Sequence, residues 1–259
     1  MEIHFSKYQG VGNDFIMIDN RALLFPKNNE AVINQLCDRR FGIGSDGLIL
    51  LENSDNFDFK MIYFNADGKE GSMCGNGGRC IVAFAKQLKI ISNATTFEAV
   101  DGIHFATIKN DLISLQMMDI DIIEVFDTHT FLNTGSPHHI SFHQNIDTIN
   151  VKEKGAEIRY GKPYFEEGTN VNFVEQISNN TFKMRTYERG VEDETLACGT
   201  GATAVAIAAN KTNKTTANTI KLEVLGGKLE VSFKKEDTNY VDIFLTGEAK
   251  KVFEGNITI

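Results

Sequence analysis

The feature that most constrains this chain is a segment that occurs twice. Met73-Cys74-Gly75-Asn76-Gly77-Gly78-Arg79 opens the run Ile81-Val82-Ala83-Phe84-Ala85, and Ala197-Cys198-Gly199-Thr200-Gly201-Ala202-Thr203 opens Ala204-Val205-Ala206-Ile207-Ala208. Both read Cys-Gly-x-Gly followed by small and apolar residues, the pattern of a glycine-rich turn entering a helix. The cysteines lie 124 positions apart in a chain of 259 residues, close to half its length. A period that long indicates duplication of a domain rather than a solenoid of short repeats. A second pair of segments keeps the spacing. Asn13, in Gly12-Asn13-Asp14-Phe15, precedes Cys74 by 61 positions, and Ser136, in Gly135-Ser136-Pro137-His138, precedes Cys198 by 62. The chain therefore reads as two similar halves, 1–119 carrying Cys74 and 120–259 carrying Cys198, an arrangement that leaves the last strand able to return to the N-terminal half.

Each half reads as strands around one or two helices. Asp58 to Phe64 places Phe59, Met61 and Tyr63 on one face of a strand ended by the turn Asn65-Ala66-Asp67-Gly68. Thr96 to Val100, Phe105 to Lys109 and Leu112 to Met117 form a meander through turns at Asp101-Gly102 and Asn110-Asp111. Asn29 to Arg39 has helical spacing of Val32, Ile33, Leu36 and Cys37. In the second half, Val171 to Gln176 and Thr181 to Tyr187 join through Asn179-Asn180, and Lys221 to Leu225 joins Lys228 to Phe233 through Gly226-Gly227. Many strands with a few helices make the fold class α+β.

Composition narrows the partners. With 35 acidic and 26 basic side chains the net charge is -9, and the basic residues are scattered, which argues against nucleic acid and anionic membrane surfaces. Met1-Glu2-Ile3-His4-Phe5 does not read as a secretory signal, and no apolar run approaches the roughly 20 residues of a membrane span. A cytoplasmic location is expected, where the four cysteines stay reduced and act as core fillers, metal ligands or reagents. Cys37, on an apolar helix face, and Cys80 read as core. Zinc is disfavoured, because there is no Cys-x-x-Cys and the Cys74 to Cys80 spacing is too wide for a knuckle. The adjacent His138-His139 read, by themselves, as surface loop.

Cys74 and Cys198 are different because both carry the same glycine context at matching points of a repeat. A cysteine at a helix start lies at the positive end of the helix dipole, beside unpaired backbone N–H groups, and both favour the thiolate. The dipole contributes only about 0.3–1 kcal/mol, so further tuning is required. Glycines without a Cβ let N–H groups converge on an anion, and a carboxylate is the natural candidate. Two such turns facing one another would put a sulfur on each side of an amino acid's α-carbon. One thiolate would remove the proton and the opposite thiol would return one, with charge moving onto a carboxylate already held by N–H groups. This stereoinversion calls for no metal and no organic cofactor.

At these residues the chain closely resembles the diaminopimelate epimerase family. The carriers are Gly10-Val11-Gly12-Asn13-Asp14-Phe15, Phe64-Asn65-Ala66-Asp67-Gly68, Met73-Cys74-Gly75-Asn76-Gly77, Gly135-Ser136-Pro137-His138, Tyr187-Glu188-Arg189-Gly190 and Ala197-Cys198-Gly199-Thr200-Gly201. The resemblance implies two pseudo-symmetric halves, each a strongly curved, mostly antiparallel sheet wrapped around a central helix, with the active site in the cleft between them. It implies interconversion of LL- and meso-diaminopimelate, a small-molecule substrate, with Cys74 and Cys198 as acid and base and no cofactor. His138 and Glu188 match positions that tune the cysteines. Asn13, Asn65, Ser136, Asn172, Glu188 and Arg189 match substrate-contacting positions, and Gly75-Asn76 and Gly199-Thr200 match the backbone pairs that hold the reacting carboxylate. Arg189 suits a carboxylate and Glu188 an ammonium at the substrate's far end. The family commonly has Asn at the position of Ser136, and Gly47 stands where a substrate-contacting Gln can occur. A racemase of proline or hydroxyproline, which also pairs cysteines, is the alternative; its first motif tends to carry His at the position of Asn76. The sequence is compatible with a homodimer but determines no oligomeric state.

Overall fold

Val11 and Gly12 take the backbone through positive φ, 55° and 88°, as a two-residue hairpin turn requires. They fold β1 (Glu2–Gly10) back on β2 (Asn13–Asp19), with Gly10 opposite Asn13. The turn thereby places Asn13 at the very start of a strand. The structure, a computed structural model, describes residues 1–71 and 73–259. It divides into two units, Met1–Leu115 with Gly247–Ile259, and Gln116–Thr246.

In the first unit β2 is followed by α1 (Glu30–Cys37), β3 (Gly47–Glu52) parallel to β2, and β4 (Phe59–Asn65) antiparallel to β3. Then come α2 (Gly75–Gln87), β5 (Ala94–Ala99) parallel to β4, and the antiparallel β6 (Gly102–Lys109) and β7 (Leu112–Gln116). Residues 75–82, Phe84 and Ala85 of α2 are buried. A helix buried almost all round is a core element, and its glycines and alanines let β1, β2 and β3 approach it closely. Ile16, Ile33, Leu48 and Leu50 are fully or almost fully buried in a cluster that includes Cys37.

The second unit contains β8 (Ile123–Val125), β9 (Thr130–Asn133), β10 (Pro137–His143), α3 (Val151–Tyr160), β11 (Asn170–Ser178), β12 (Thr181–Glu188) and β13 (Asp193–Thr195). It continues with α4 (Gly199–Lys211), β14 (Thr219–Val224), β15 (Gly227–Glu236) and β16 (Asn239–Glu248). From β10 to β15 the pairing is parallel across α3, antiparallel between β11 and β12, parallel between β12 and β14, and antiparallel between β14 and β15. The first unit has the same order from β2 to β6. In α4, residues 201–210 are all buried. Finally β17 (Lys250–Thr258) runs antiparallel along β1, from Glu2 opposite Thr258 to Gln9 opposite Lys250.

The α+β reading holds, with one helix added to it and one local expectation changed. Val151–Tyr160 is a helix that apolar spacing did not announce; Asn150 caps it and Gly155 occupies its middle. A Cβ on Gly155 would lie 2.3 Å from Tyr187 Cβ, so a helix-weakening glycine is the condition for α3 to pack. His138 and His139 lie on strand β10, at 0% and 8% exposure, and not in a surface loop. Strand alternation still sends them to opposite faces.

Candidate active site

The four helices start in two different ways. Asn29 Oδ1 accepts from Val32 N at 3.3 Å and Asn150 Oδ1 from Glu153 N at 3.3 Å, capping α1 and α3 with a residue type that stabilises helix starts well. The two central helices are capped by cysteine. Cys74 has extended backbone (φ -105°, ψ 143°) and its Sγ accepts from Gly77 N at 3.2 Å; Cys198 (φ -121°, ψ 113°) accepts from Gly201 N at 3.4 Å. A neutral thiol is a weak acceptor, so a cysteine cap is a poor choice for stability alone. The same bond and the helix dipole favour the thiolate. Gly75 and Asn76, and Gly199 and Thr200, are the first two residues of their helices, where N–H groups lie ahead of the intrahelical ladder.

Around Cys74 the hydrogen bonds have a definite direction. Asp46 Oδ2 accepts from Asn13 Nδ2 at 2.6 Å, which turns Asn13 Oδ1 the other way. That oxygen accepts from Asn76 Nδ2 at 3.1 Å and from the Cys74 thiol at 3.9 Å. Asp46 is held by Arg39 Nη2 at 2.7 Å, and Asp14, next to Asn13, pairs with Lys7 at 2.7 Å and with Arg39. Burial alone would raise the Asp14 carboxyl, but the bonds from Arg39 and Lys7 outweigh it and hold it well below the ordinary carboxylate range. Asn65 ends β4 opposite Gly47, and its backbone closes the turn to Lys69 at 2.9 Å. Gly47 has no room for a side chain: a Cβ would lie 2.6 Å from Phe64 O and from the Tyr63 ring.

Around Cys198 a buried chain of bonds fixes a histidine tautomer. Asn172 Nδ2 donates to the His139 carbonyl at 3.1 Å and Asn172 Oδ1 accepts from Thr186 Oγ1 at 3.0 Å, which orients the amide. The same Nδ2 lies 3.1 Å from His138 Nδ1 and must donate to it, so Nδ1 carries no proton. Burial, assisted by the charge of Arg189, pushes the His138 pKa down to about 3, so the ring is neutral at neutral pH. Its proton is therefore on Nε2, which donates to Thr200 Oγ1 at 3.0 Å. The Thr200 hydroxyl lies 3.4 Å from Cys198 Sγ, where it accepts from a thiol or donates to a thiolate. His138 thus reaches the sulfur through Thr200, and Asn172, fully buried with both amide hydrogens donated, holds the histidine.

The other expected residues of the second unit are distributed around this chain. Ser136 Oγ accepts from Asn170 Nδ2 at 2.7 Å, and Asn170 Oδ1 accepts from the Arg189 backbone at 2.9 Å. Arg189 Nη1 donates to the Glu167 carbonyl at 2.8 Å. Glu188, half-buried, accepts from Thr195 Oγ1 at 3.0 Å. Sequence reasoning missed Asn170 and Arg79. Asn170 shared the period-2 spacing of β11 with Asn172, a usable signal. Arg79, which sits within the first repeated motif, is completely buried; its Nη1 donates to Gly75 O at 3.1 Å and its Nη2 to Asn76 Oδ1 at 2.8 Å. Among the described residues no group of His, Cys, Asp and Glu could hold a metal ion, and no helix is long and apolar enough to cross a membrane.

Comparison with solved structures identifies the fold. The fold matches a phenazine biosynthesis protein of the PhzF family from Bacillus anthracis, with TM-score 0.79 over 100% of both chains at 14% identity. It also matches a hydroxyproline epimerase from Agrobacterium vitis, with TM-score 0.69 over 99% of this chain and 92% of that one at 12% identity. The fold is thus one shared by epimerases. Sequence makes the assignment finer: the profile described as diaminopimelate epimerase matches residues 5–119 and 130–252. A diaminopimelate epimerase of Flavobacterium psychrophilum is 61% identical over 97% of this chain and 98% of its own length. This chain belongs to the diaminopimelate epimerase family.

Proposed function

We propose that the protein interconverts LL- and meso-diaminopimelate by inverting one α-carbon, with Cys74 and Cys198 as the two acid/base groups. The observation that carries the mechanism is the choice of cap: asparagine starts α1 and α3, cysteine starts α2 and α4. In one direction a thiolate takes the α-proton and the other thiol delivers one to the planar carbanion; in reverse the roles exchange. The N–H groups of Gly75, Asn76, Gly199 and Thr200 serve the carboxylate onto which the charge moves. Cys74 has partners for both protonation states, with Asn13 Oδ1 accepting from the thiol and Gly77 N donating to the thiolate. Thr200, driven by the His138 tautomer, donates to the thiolate of Cys198. Ser136, Asn65, Glu188 and Arg189 form the substrate's further contacts. We extend the proposal to a cytoplasmic enzyme, active on a free small molecule and compatible with a homodimer.

The test is solvent exchange. In heavy water, LL- or meso-diaminopimelate gains one deuterium at a single α-carbon, seen by mass spectrometry and proton NMR. Inversion of proline or hydroxyproline with no exchange into diaminopimelate overturns the substrate assignment.

A further inference from the structure

Arg79 has no place in the two-thiol scheme as it stands, yet it is a buried cation within the first repeated motif. Its guanidinium is fully buried, and its Nε finds no hydrogen-bond partner. Among the described residues no carboxylate pairs with it; its bonds go to the Gly75 carbonyl and the Asn76 amide oxygen, both uncharged. Removing an unpaired cation from water costs several kcal/mol, so the charge itself needs a reason.

The internal repeat shows that structure alone does not supply one. The position equivalent to Arg79, five residues after the cysteine, is Thr203, and Thr203 Oγ1 donates to Gly199 O at 3.1 Å. Arg79 Nη1 makes the same bond to Gly75 O at 3.1 Å. A neutral hydroxyl satisfies the helix-start carbonyl in one unit; a buried cation does it in the other.

We infer that Arg79 is a positioning residue whose buried charge is the counter-ion of the Cys74 thiolate, and whose bond to Asn76 holds the Gly75-Asn76 cradle beside that sulfur. Burial pulls the Arg79 pKa down, and the nearby sulfurs of Cys80 and Cys74 oppose this by favouring the cation. Burial pushes the Cys80 thiol strongly up, although Arg79 opposes this, so Cys80 stays neutral, while Cys74 is only half-buried and caps the helix that carries Arg79. Several ionisable groups on the strands packed against α2 have partners of their own, Lys251 of β17 pairing with Glu254, although the Asp14 charge also opposes ionisation of Cys80. Lys7 and Asp14 pair with each other and with Arg39, Tyr8 donates to Gln87, and Glu52 pairs with Lys27. Asn76 completes the device, since its Oδ1 takes the Arg79 bond while its Nδ2 holds Asn13 Oδ1, the acceptor of the thiol form.

This inference rests on the two-thiol reading but is tested without turnover. Iodoacetamide alkylation of the intact protein is followed against pH, with Cys74 and Cys198 read separately by peptide mass spectrometry. In the wild type Cys74 titrates below the ordinary thiol value of ~8.5. Arg79→Gln raises that apparent pKa by about one unit, roughly a ten-fold loss of Cys74 thiolate at neutral pH, and leaves the Cys198 profile in place. Arg79→Lys, which keeps the charge and loses the fork, restores most of the shift. A wild-type Cys74 that titrates at or above ~8.5, or an unchanged Cys74 profile in Arg79→Gln, overturns the inference. If Arg79→Gln does not fold, the wild-type titration and Arg79→Lys decide it. Absence of diaminopimelate exchange in the wild type, with its Cys74 still titrating low and shifting in Arg79→Gln, would count against the proposed function and leave the role of Arg79 standing.

Discussion

The starts of α2 and α4 are built on one plan and finished differently. Each has an extended cysteine cap, a glycine three residues on that donates to the sulfur, and a side chain five residues on that donates to the first helical carbonyl. In the first unit that last side chain is a buried cation. In the second it is a threonine, and the sulfur is served instead by an uncharged chain running from Asn172 through His138 to Thr200. The difference teaches that a thiolate can be favoured by a charge brought close or by a hydroxyl proton aimed at it. On the proposed mechanism, two sulfurs that exchange roles can then be tuned separately, although their local sequences are alike.

The largest effect should treat the two starts as equals. Cys74→Ala and Cys198→Ala each lower diaminopimelate epimerisation below roughly one thousandth of wild type, measured by deuterium exchange coupled to chiral analysis. Full activity in either variant would break the pairing. The next effect should separate them. A Cβ on Gly201 would lie 2.7 Å from Asn172 Oδ1, held in its network, whereas one on Gly77 would lie 3.0 Å from the movable end of Ile49. Gly201→Ala should cost about 1–3 kcal/mol in urea unfolding and Gly77→Ala clearly less; equal costs would show that the second network is no more rigid than the first.

Smaller still is the effect of the relay hydroxyl. Thr200→Val keeps the shape, removes the donor to Cys198, and leaves the His138 Nε2 proton without its acceptor. The alkylation rate of Cys198 at neutral pH should fall about ten-fold while that of Cys74 is unchanged. A parallel fall at both cysteines would show general loosening instead.

The smallest effect is a difference in acid sensitivity. His138 and His139, pushed down to about 3 chiefly by burial, bind protons more weakly folded than unfolded, where the ordinary value is ~6.5. Their contribution to stability is complete above ~6.5 and drains away as pH falls from there toward about 3. Asp14, in the first unit, is held below the ordinary carboxylate value, so its contribution persists until pH falls below ~3.9. Hydrogen exchange followed between pH 6.5 and 4 should therefore lose protection in β10 and β11 before β1 and β2; the reverse order would contradict the assigned histidine states.

Much of this was legible in the chain as written. The repeated Cys-Gly-x-Gly and its apolar continuation announced both central helices, since glycine access, cysteine chemistry and helical runs are local properties. Turn chemistry located the hairpins at Asp101-Gly102 and Asn110-Asp111, where Gly102, Asn110 and Asp111 take positive φ. The helix α3 was obscured because Gly155 is explained only by Tyr187, 32 positions away.

The sequence by itself determined the α+β class and the two cysteines at glycine-rich helix starts, because each depends on residues adjacent in the chain or on the pattern in which they recur. Only the tertiary structure decided what surrounds those sulfurs. An arginine in a list of residues reads as exposed, and burial of Arg79 becomes visible when β1, β2 and β3 close around α2. Likewise Asn172 orients His138 across 34 positions, a contact that exists because β10 and β11 run parallel with Ile140 opposite Asn172. Proton positions follow from which donors meet which acceptors, and that is settled when distant strands come into register.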